Sequence, residues 1–337
     1  MQKKLPTIKE IAKRLNVSVS TVSRALHDHH TIGLRTKMQV KALAKELNYE
    51  PNQTAIMFKQ RKTFIIGVIT PRLTEEFFST AISGIEDVAS KNKYNVLIAQ
   101  SYDDSEREQQ IVETMKNSRV DGLLVSVAKN TKSTEHFDAL KKYNIPVVFF
   151  DCVPEQPDLN SVSCDLHTGT IEAVNFLAAK GHKRIALLNG PANLPASNQR
   201  EKSFIEGLEK NKLKADPALI VETDLSKEST YAAVQSLLDL KSKPTAVVVF
   251  NDYVALETMQ YAKSKKIRIN KDISFVSYAH LPVCNYLDNP PLASVEQFPY
   301  EQGSKAMDLL FNILSDTNES RKPEQIILDS KLMTWGD

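Results

Sequence analysis

Apolar residues recur along this chain with two different periods, and the change between them divides it. Near the start, Ile8, Ile11, Ala12 and Leu15 fall at the spacing of one helix face. Thr7 and Glu10 stand in capping-box positions ahead of that face. Asn16-Val17 interrupts the pattern. Ser18 then offers an N-cap, and Val22, Ala25 and Leu26 predict a second short helix. Val40, Leu43, Ala44 and Leu47 predict a third over 36–48, ended by Pro51. Two short helices joined by a tight turn, with a third closing a small core, follow the helix-turn-helix plan.

From Phe64 onward the period shortens. Apolar β-rich runs at 64–70, 95–100, 122–127, 147–151, 184–189, 219–223, 246–250 and 273–278 predict strands. Amphipathic stretches at 77–91, 105–117, 133–143, 166–180, 200–211, 227–239 and 252–265 alternate with them. Such alternation means parallel sheets with right-handed crossovers, and the count predicts two doubly wound lobes. A last helix over 300–314, after the Pro290-Pro291 break, is expected to return to the first lobe.

Charge sharpens this division. The whole chain of 337 residues is close to neutral at +2, yet residues 1–62 carry +9 and the remainder −7. A basic module that meets a polyanion, attached to an acidic body that does not, is the direct reading. No run approaches the ~20 apolar residues of a membrane helix. The start Met1-Gln2-Lys3-Lys4-Leu5-Pro6 has no apolar core of a signal peptide. Cys152, Cys164 and Cys284 are too scattered for a disulfide framework, so a reduced cytoplasmic setting is expected. The body has no G-x-G-x-x-G, no P-loop and no G-x-S-x-G elbow, so no catalytic residue and no cofactor are expected. His27-Asp28-His29-His30 has metal-ligand residue types, but four near-contiguous residues cannot easily enclose one ion. That cluster reads as a polar loop, and no metal site is expected.

The outward residues of the second helix define its chemistry. Val19, Ser20, Thr21, Ser23 and Arg24 are small, hydroxylic or cationic, with no acid among them. Small side chains admit a helix to a major groove, hydroxyls bond phosphates, and an Arg can bind guanine in a bidentate way. The sequence Thr7-Ile8-Lys9-Glu10-Ile11-Ala12, then Val17-Ser18-Val19-Ser20-Thr21-Val22-Ser23-Arg24-Ala25-Leu26, then Leu47-Asn48-Tyr49-Glu50-Pro51-Asn52 resembles the headpiece of the lactose-repressor/galactose-repressor (LacI/GalR) family. That resemblance implies base reading by Val19, Ser20 and Arg24. It implies phosphate contacts from Thr7, Ser18, Thr21 and Ser23; His27, in the polar loop, is expected to join them.

Residues 51–62 form a helix-compatible basic segment too short to be stable alone. The resemblance implies a hinge helix that folds on the operator and pairs with its dimer mate, with Asn52 and Ala55 in the hinge. Phe58 stands where the family carries a leucine wedge; phenylalanine can also unstack a base step. Docking of Ile56, Met57 and Phe58 on the body is the other reading.

The body resembles the same family's effector module, itself similar to periplasmic sugar-binding proteins. The agreeing segments are Gly67-Val68-Ile69-Thr70-Pro71, Asp121-Gly122-Leu123-Leu124-Val125, Ile145-Pro146-Val147-Val148-Phe149-Phe150-Asp151, Gly181-His182-Lys183-Arg184-Ile185-Ala186, Phe250-Asn251-Asp252 and Pro291-Leu292-Ala293-Ser294-Val295-Glu296-Gln297. By position the resemblance implies effector contacts from Asp151, Arg200 and Asn251, with Asp252 and Phe77 as further candidates. Asp252 reads equally as a helix N-cap and Phe77 as core packing. In one segment the chain departs from the family. Val276-Ser277-Tyr278-Ala279-His280 lacks the usual effector-binding carboxylate, and His280 is the candidate to replace it.

These readings predict a headpiece over 1–50, a hinge over 51–62 and an effector and dimerisation body over 63–337. Its N-lobe is expected over 63–162 plus 292–322, and its C-lobe over 163–291 plus 323–337. The expected function is a cytoplasmic regulator of transcription, a repressor. It binds a double-stranded pseudo-palindromic operator as a homodimer under control of a sugar or sugar derivative, with no membrane partner. The rival reading is a cytosolic solute-binding or enzymatic α/β protein with an incidental basic head.

Overall fold

The computed structural model describes residues 6–50, 62–154, 156, 158–192, 194–316 and 321–335. Asn52, Ala55 and Phe58 of the expected hinge lie outside them. The chain divides into two compact units, Met1–Thr63 and Phe64–Asp337.

In the first unit, α1 (Ile8–Leu15), α2 (Val19–Leu26) and α3 (Leu34–Glu46) enclose Ile11, Ala12, Val22, Ala25, Val40 and Ala44. The third helix starts two residues earlier than its apolar spacing predicts. The turn after α1 is made by Asn16, whose left-handed backbone (φ 52°) ends the helix, while Val17 N closes back on Ala12 O at 3.0 Å. Asparagine tolerates that conformation better than most residues with a Cβ. Thr7 and Ser18 cap α1 and α2 by accepting from Glu10 N and Thr21 N.

The second unit holds two six-stranded sheets. The strands are β1 (Ile65–Thr70), β2 (Asn95–Gln100), β3 (Gly122–Val125), β4 (Val147–Phe150), β5 (Ser161–Asp165), β6 (Ile185–Asn189), β7 (Ile220–Glu222), β8 (Ala246–Val249), β9 (Ser274–Tyr278), β10 (Ala293–Glu296), β11 (Gln325–Asp329) and β12 (Lys331–Thr334). The first sheet runs β11-β5-β4-β3-β1-β2 and the second β12-β10-β9-β8-β6-β7. All pairings are parallel except β10 with β12.

The helices of this unit are α4 (Glu76–Lys91), α5 (Ser105–Asn117), α6 (Glu135–Lys141), α7 (Leu166–Ala179), α8 (Pro195–Lys210), α9 (Lys227–Leu238), α10 (Asp252–Ser264) and α11 (Pro299–Ser315). As expected, α11 packs on the first lobe, its Ala306, Met307, Leu309 and Leu310 sharing a core with Ile66, Val68 and Ile85.

The expected lobe boundaries need correction. β10, expected in the N-lobe, belongs to the second sheet, and β11, expected in the C-lobe, belongs to the first. The chain therefore passes between lobes three times, at 165–166, 296–299 and 329–331.

Candidate functional site

On the headpiece, the face of α2 is open. Val19 is 41% exposed, Ser20 and Arg24 are exposed, and Arg24 makes no salt bridge among the described residues. Three hydroxyls gather at the amino end of α2: Ser18 Oγ lies 2.7 Å from Ser20 Oγ and 2.8 Å from Thr21 Oγ1. Its first turn carries no acid. A helix amino terminus with hydroxyls and no carboxylate favours a phosphate there. Ser18 has a structural duty as well, because Thr21 N donates to its Oγ at 3.1 Å.

His27 is exposed at the end of α2. In the loop that follows, Lys41 Nζ holds Asp28 at 2.6 Å and His29 stacks on His30. The Lys41 ammonium lowers the Asp28 pKa.

In the body, Asp151 and Arg200 face each other electrostatically across the two lobes. Asp151 follows β4 with a left-handed backbone (φ 57°) and accepts from Ser126 Oγ at 3.2 Å. Burial raises its carboxyl pKa against the pull of its hydrogen bonds and of Arg200. Arg200, on α8, is only 4% exposed, and its guanidinium lies over the rings of Phe250 (4.2 Å) and Tyr278 (4.5 Å). Tyr278 is fixed from behind, its hydroxyl 2.8 Å from Thr170 Oγ1. Gly190 leaves the room that Phe250 needs, since a Cβ there would strike its ring.

Arg200 Nε and Nη1 are nonetheless buried without a partner. Orphaned buried donors are costly, so these two call for acceptors that the described residues do not supply. Thr70 Oγ1, Ser101 Oγ and Ser197 Oγ are orphaned and buried too. Thr70 ends β1, Ser101 follows β2, and Ser197 precedes Arg200 by one helical turn. Sequence reasoning missed these three, because a lone Ser or Thr at an element's end has no pattern of its own.

A separate cavity of about 500 Å³ is lined by Phe77, His280, Glu76, Glu296, Phe298 and Tyr300 among others. Phe77 packs half-buried on the first-lobe core, meets Phe78 edge-on at 5.3 Å and lines the cavity. His280 stacks at 4.4 Å on Trp335 near the chain's end, and its buried Nδ1 has no partner. Burial lowers its pKa, which favours the neutral ring.

The N-cap reading of Asp252 needs correction. The helix cap is Asn251, whose side chain accepts from Val254 N at 2.9 Å. Asp252 is not the cap. Its carboxylate is buried and committed to Ser277, Leu281 and Ser294 inside the second lobe. Neither Asp151 nor Arg200 belongs to the lining that holds Phe77 and His280.

A helix-turn-helix head with an open, acid-free reading face, joined to a two-lobed body with a polar cleft, defines a ligand-responsive DNA-binding protein. The family described as bacterial regulatory proteins, lacI family, matches residues 7–52. The family of periplasmic binding proteins and sugar binding domain of LacI family matches residues 63–334. The chain belongs to the LacI family, and it is a helix-turn-helix regulator of transcription.

It is 32% identical over 315 residues to the HTH-type transcriptional repressor CytR of Escherichia coli (strain K12), with 92% of this chain and 90% of that protein covered. It is 30% identical over 305 residues to catabolite control protein A of Priestia megaterium, covering 90% and 91%. The crystal structure of the lac repressor dimer bound to operator and the anti-inducer ONPF aligns at TM-score 0.83 and 26% identity, over 98% of each chain. Among the described residues, no helix is long and apolar enough to cross a membrane.

Proposed function

We propose that the chain is a cytoplasmic repressor without enzymatic activity, binding a pseudo-palindromic operator as a homodimer. Val19, Ser20 and Arg24 read bases; Thr7, Ser18, Thr21, Ser23 and His27 hold phosphates; and the segment with Asn52, Ala55 and Phe58 enters the minor groove. The open face of α2, the hydroxyls at its amino end and the +9 charge of residues 1–62 support this reading. One headpiece makes few phosphate contacts, and two at a fixed distance gain affinity through effective concentration.

A sugar or sugar derivative occupies the interlobe cleft and changes operator affinity, because lobe angle sets the distance between the two headpieces. Differential affinity for the two lobe arrangements drives the switch. The observation that carries this is Arg200, a buried guanidinium with two orphaned donors, within electrostatic reach of Asp151. Together the two residues can accept from and donate to adjacent hydroxyls. Asp151, Arg200, Thr70 and Ser197 form the ligand's polar contacts, and Asn251 contributes its free amide nitrogen. Phe77 and His280 form the wall. Asp252 acts behind that wall.

A thermal-shift screen of sugars, sugar phosphates and nucleobases tests the reading, since a ligand specific to the fold raises stability by mass action. The expected result is a Tm rise with a sugar-type compound that disappears in Arg200→Ala. A rise that survives Arg200→Ala, or occurs only with nucleobases, contradicts it.

A further inference from the structure

The cavity of about 500 Å³ is a chamber apart from Asp151 and Arg200, neither of which lines it, and its size is that of a small-molecule site. Both lobes build it. Glu76 and Phe77 come from α4, and Phe298, Tyr300 and Glu301 from the start of α11, on the first lobe; His280 and Glu296 belong to the second. Three of the lining residues carry carboxylates, and none is a lysine or an arginine. Among the described residues Glu76 and Glu296 make no salt bridge, while Glu301 meets Lys305 at 3.4 Å. Behind the wall the Asp252 carboxylate, accepting from Leu281 N at 2.6 Å, adds to the negative field.

Two open hydrogen-bonding positions in the lining are acceptors. Glu296 gives its Oε1 to Gln297 N and Phe298 N and keeps Oε2. His280 is held by its stack on Trp335, and its buried Nδ1 has no partner; a neutral imidazole can accept there. Three aromatic side chains complete the chemistry: Phe77, Phe298 and Tyr300, whose hydroxyl is already donated to Asp87.

We propose that this cavity binds an organic cation, a protonated amine on an apolar or aromatic skeleton, between Glu76 and Glu296 and against the rings of Phe77 and Phe298. Two carboxylates that separate lobes present to one cavity repel each other unless a positive charge lies between them. An ammonium removes that repulsion, donates to both carboxylates and to His280 Nδ1, and is attracted by ring faces. A metal ion fits less well, since among the described residues no group of three or more His, Cys, Asp or Glu could hold one. The inference rests on this lining and not on the sugar reading of Arg200. Its consequence for the operator does rest on the proposed regulator: a cation held by both lobes ties them together and so acts on lobe angle.

Trp335 is the only tryptophan of the chain and stacks on His280 at 4.4 Å, so its emission reports occupancy of the cavity. The full-length protein is titrated near neutral pH with benzylamine, with its uncharged counterpart benzyl alcohol, and with magnesium chloride. The expected result is a saturable change of emission at millimolar benzylamine that the other two do not produce. Glu76→Gln and Glu296→Gln should each weaken benzylamine binding about tenfold or more, because each removes a charge-assisted hydrogen bond. Arg200→Ala, which removes the proposed sugar contacts, should leave the benzylamine response in place. No saturable response to benzylamine, an equal response to benzyl alcohol or magnesium, a response that survives both glutamate changes, or its loss in Arg200→Ala overturns the proposal. Either glutamate variant decides it where the other fails to fold.

Discussion

Two arginines show how much burial decides what a cation does. Arg24 is exposed on α2 with no salt bridge among the described residues, whereas Arg200 is buried between Phe250 and Tyr278 with two donors unmet. An exposed guanidinium can exchange water for a base edge, whereas one buried without acceptors gains from any partner that supplies them. Arg24→Ala is expected to relax preference at one base-pair position by about 1–3 kcal/mol. Lys59→Ala, removing a positive charge of the basic segment, is expected to weaken all duplexes alike. Competition binding against single-base operator variants checks both. Ser18→Ala should cost about 1 kcal/mol of headpiece stability through its lost cap, read by thermal unfolding. At this scale Arg24 stood out within the long headpiece motif, and Arg200 by its position in the resemblance. Thr70, Ser101 and Ser197 were not, since only the fold reveals that their hydroxyls are buried and unmet.

Among elements, the sequence pattern served the lobes' centres well and their junctions poorly. The eight strands it predicts are apolar runs, six of them largely buried, whose observed bounds differ by at most two residues at either end. The missed ones, β5, β10, β11 and β12, lie at the crossovers or sheet edges. There β11 alternates exposed and half-buried positions, and β5 carries Ser, Cys and Asp. A four- or five-residue strand with one covered face gives too few apolar positions for periodicity to register.

That α11 returns to the first lobe was expected, but its close approach to α4 was not, because that rests on two glycines. A Cβ on Gly84 would strike the Tyr300 carbonyl, and one on Gly303 the Ala81 carbonyl. Backbone cannot yield as a side chain can, so Gly84→Ala or Gly303→Ala should destabilise the body by about 1–3 kcal/mol or more. A lower urea midpoint with the headpiece unaffected is the expected result.

Asp252 gives this scale a pH signature. Its folded pKa of about 6 lies above the ordinary 3.8, so its contribution to stability is complete below about pH 4 and lost as pH rises through 6. Asp252→Asn should therefore flatten the stability profile between pH 4 and 6, by up to about 3 kcal/mol. Calorimetry across that range checks it.

Over the whole molecule, the near-neutral total conceals a +9 head and a −7 body. A negative body is repelled by the DNA backbone, so only the basic segment should engage it. Binding should thus weaken steeply with salt, with a slope set by the phosphates that residues 1–62 neutralise. The central claim is that this protein is a dimer reading a two-fold-related site. Selection from random duplexes with the purified full-length protein at moderate salt tests it most directly. The account predicts enrichment of a pseudo-palindrome with two half-sites at one fixed separation. Recovery of duplexes with no shared sequence, or of single half-sites at no constant separation, would contradict it.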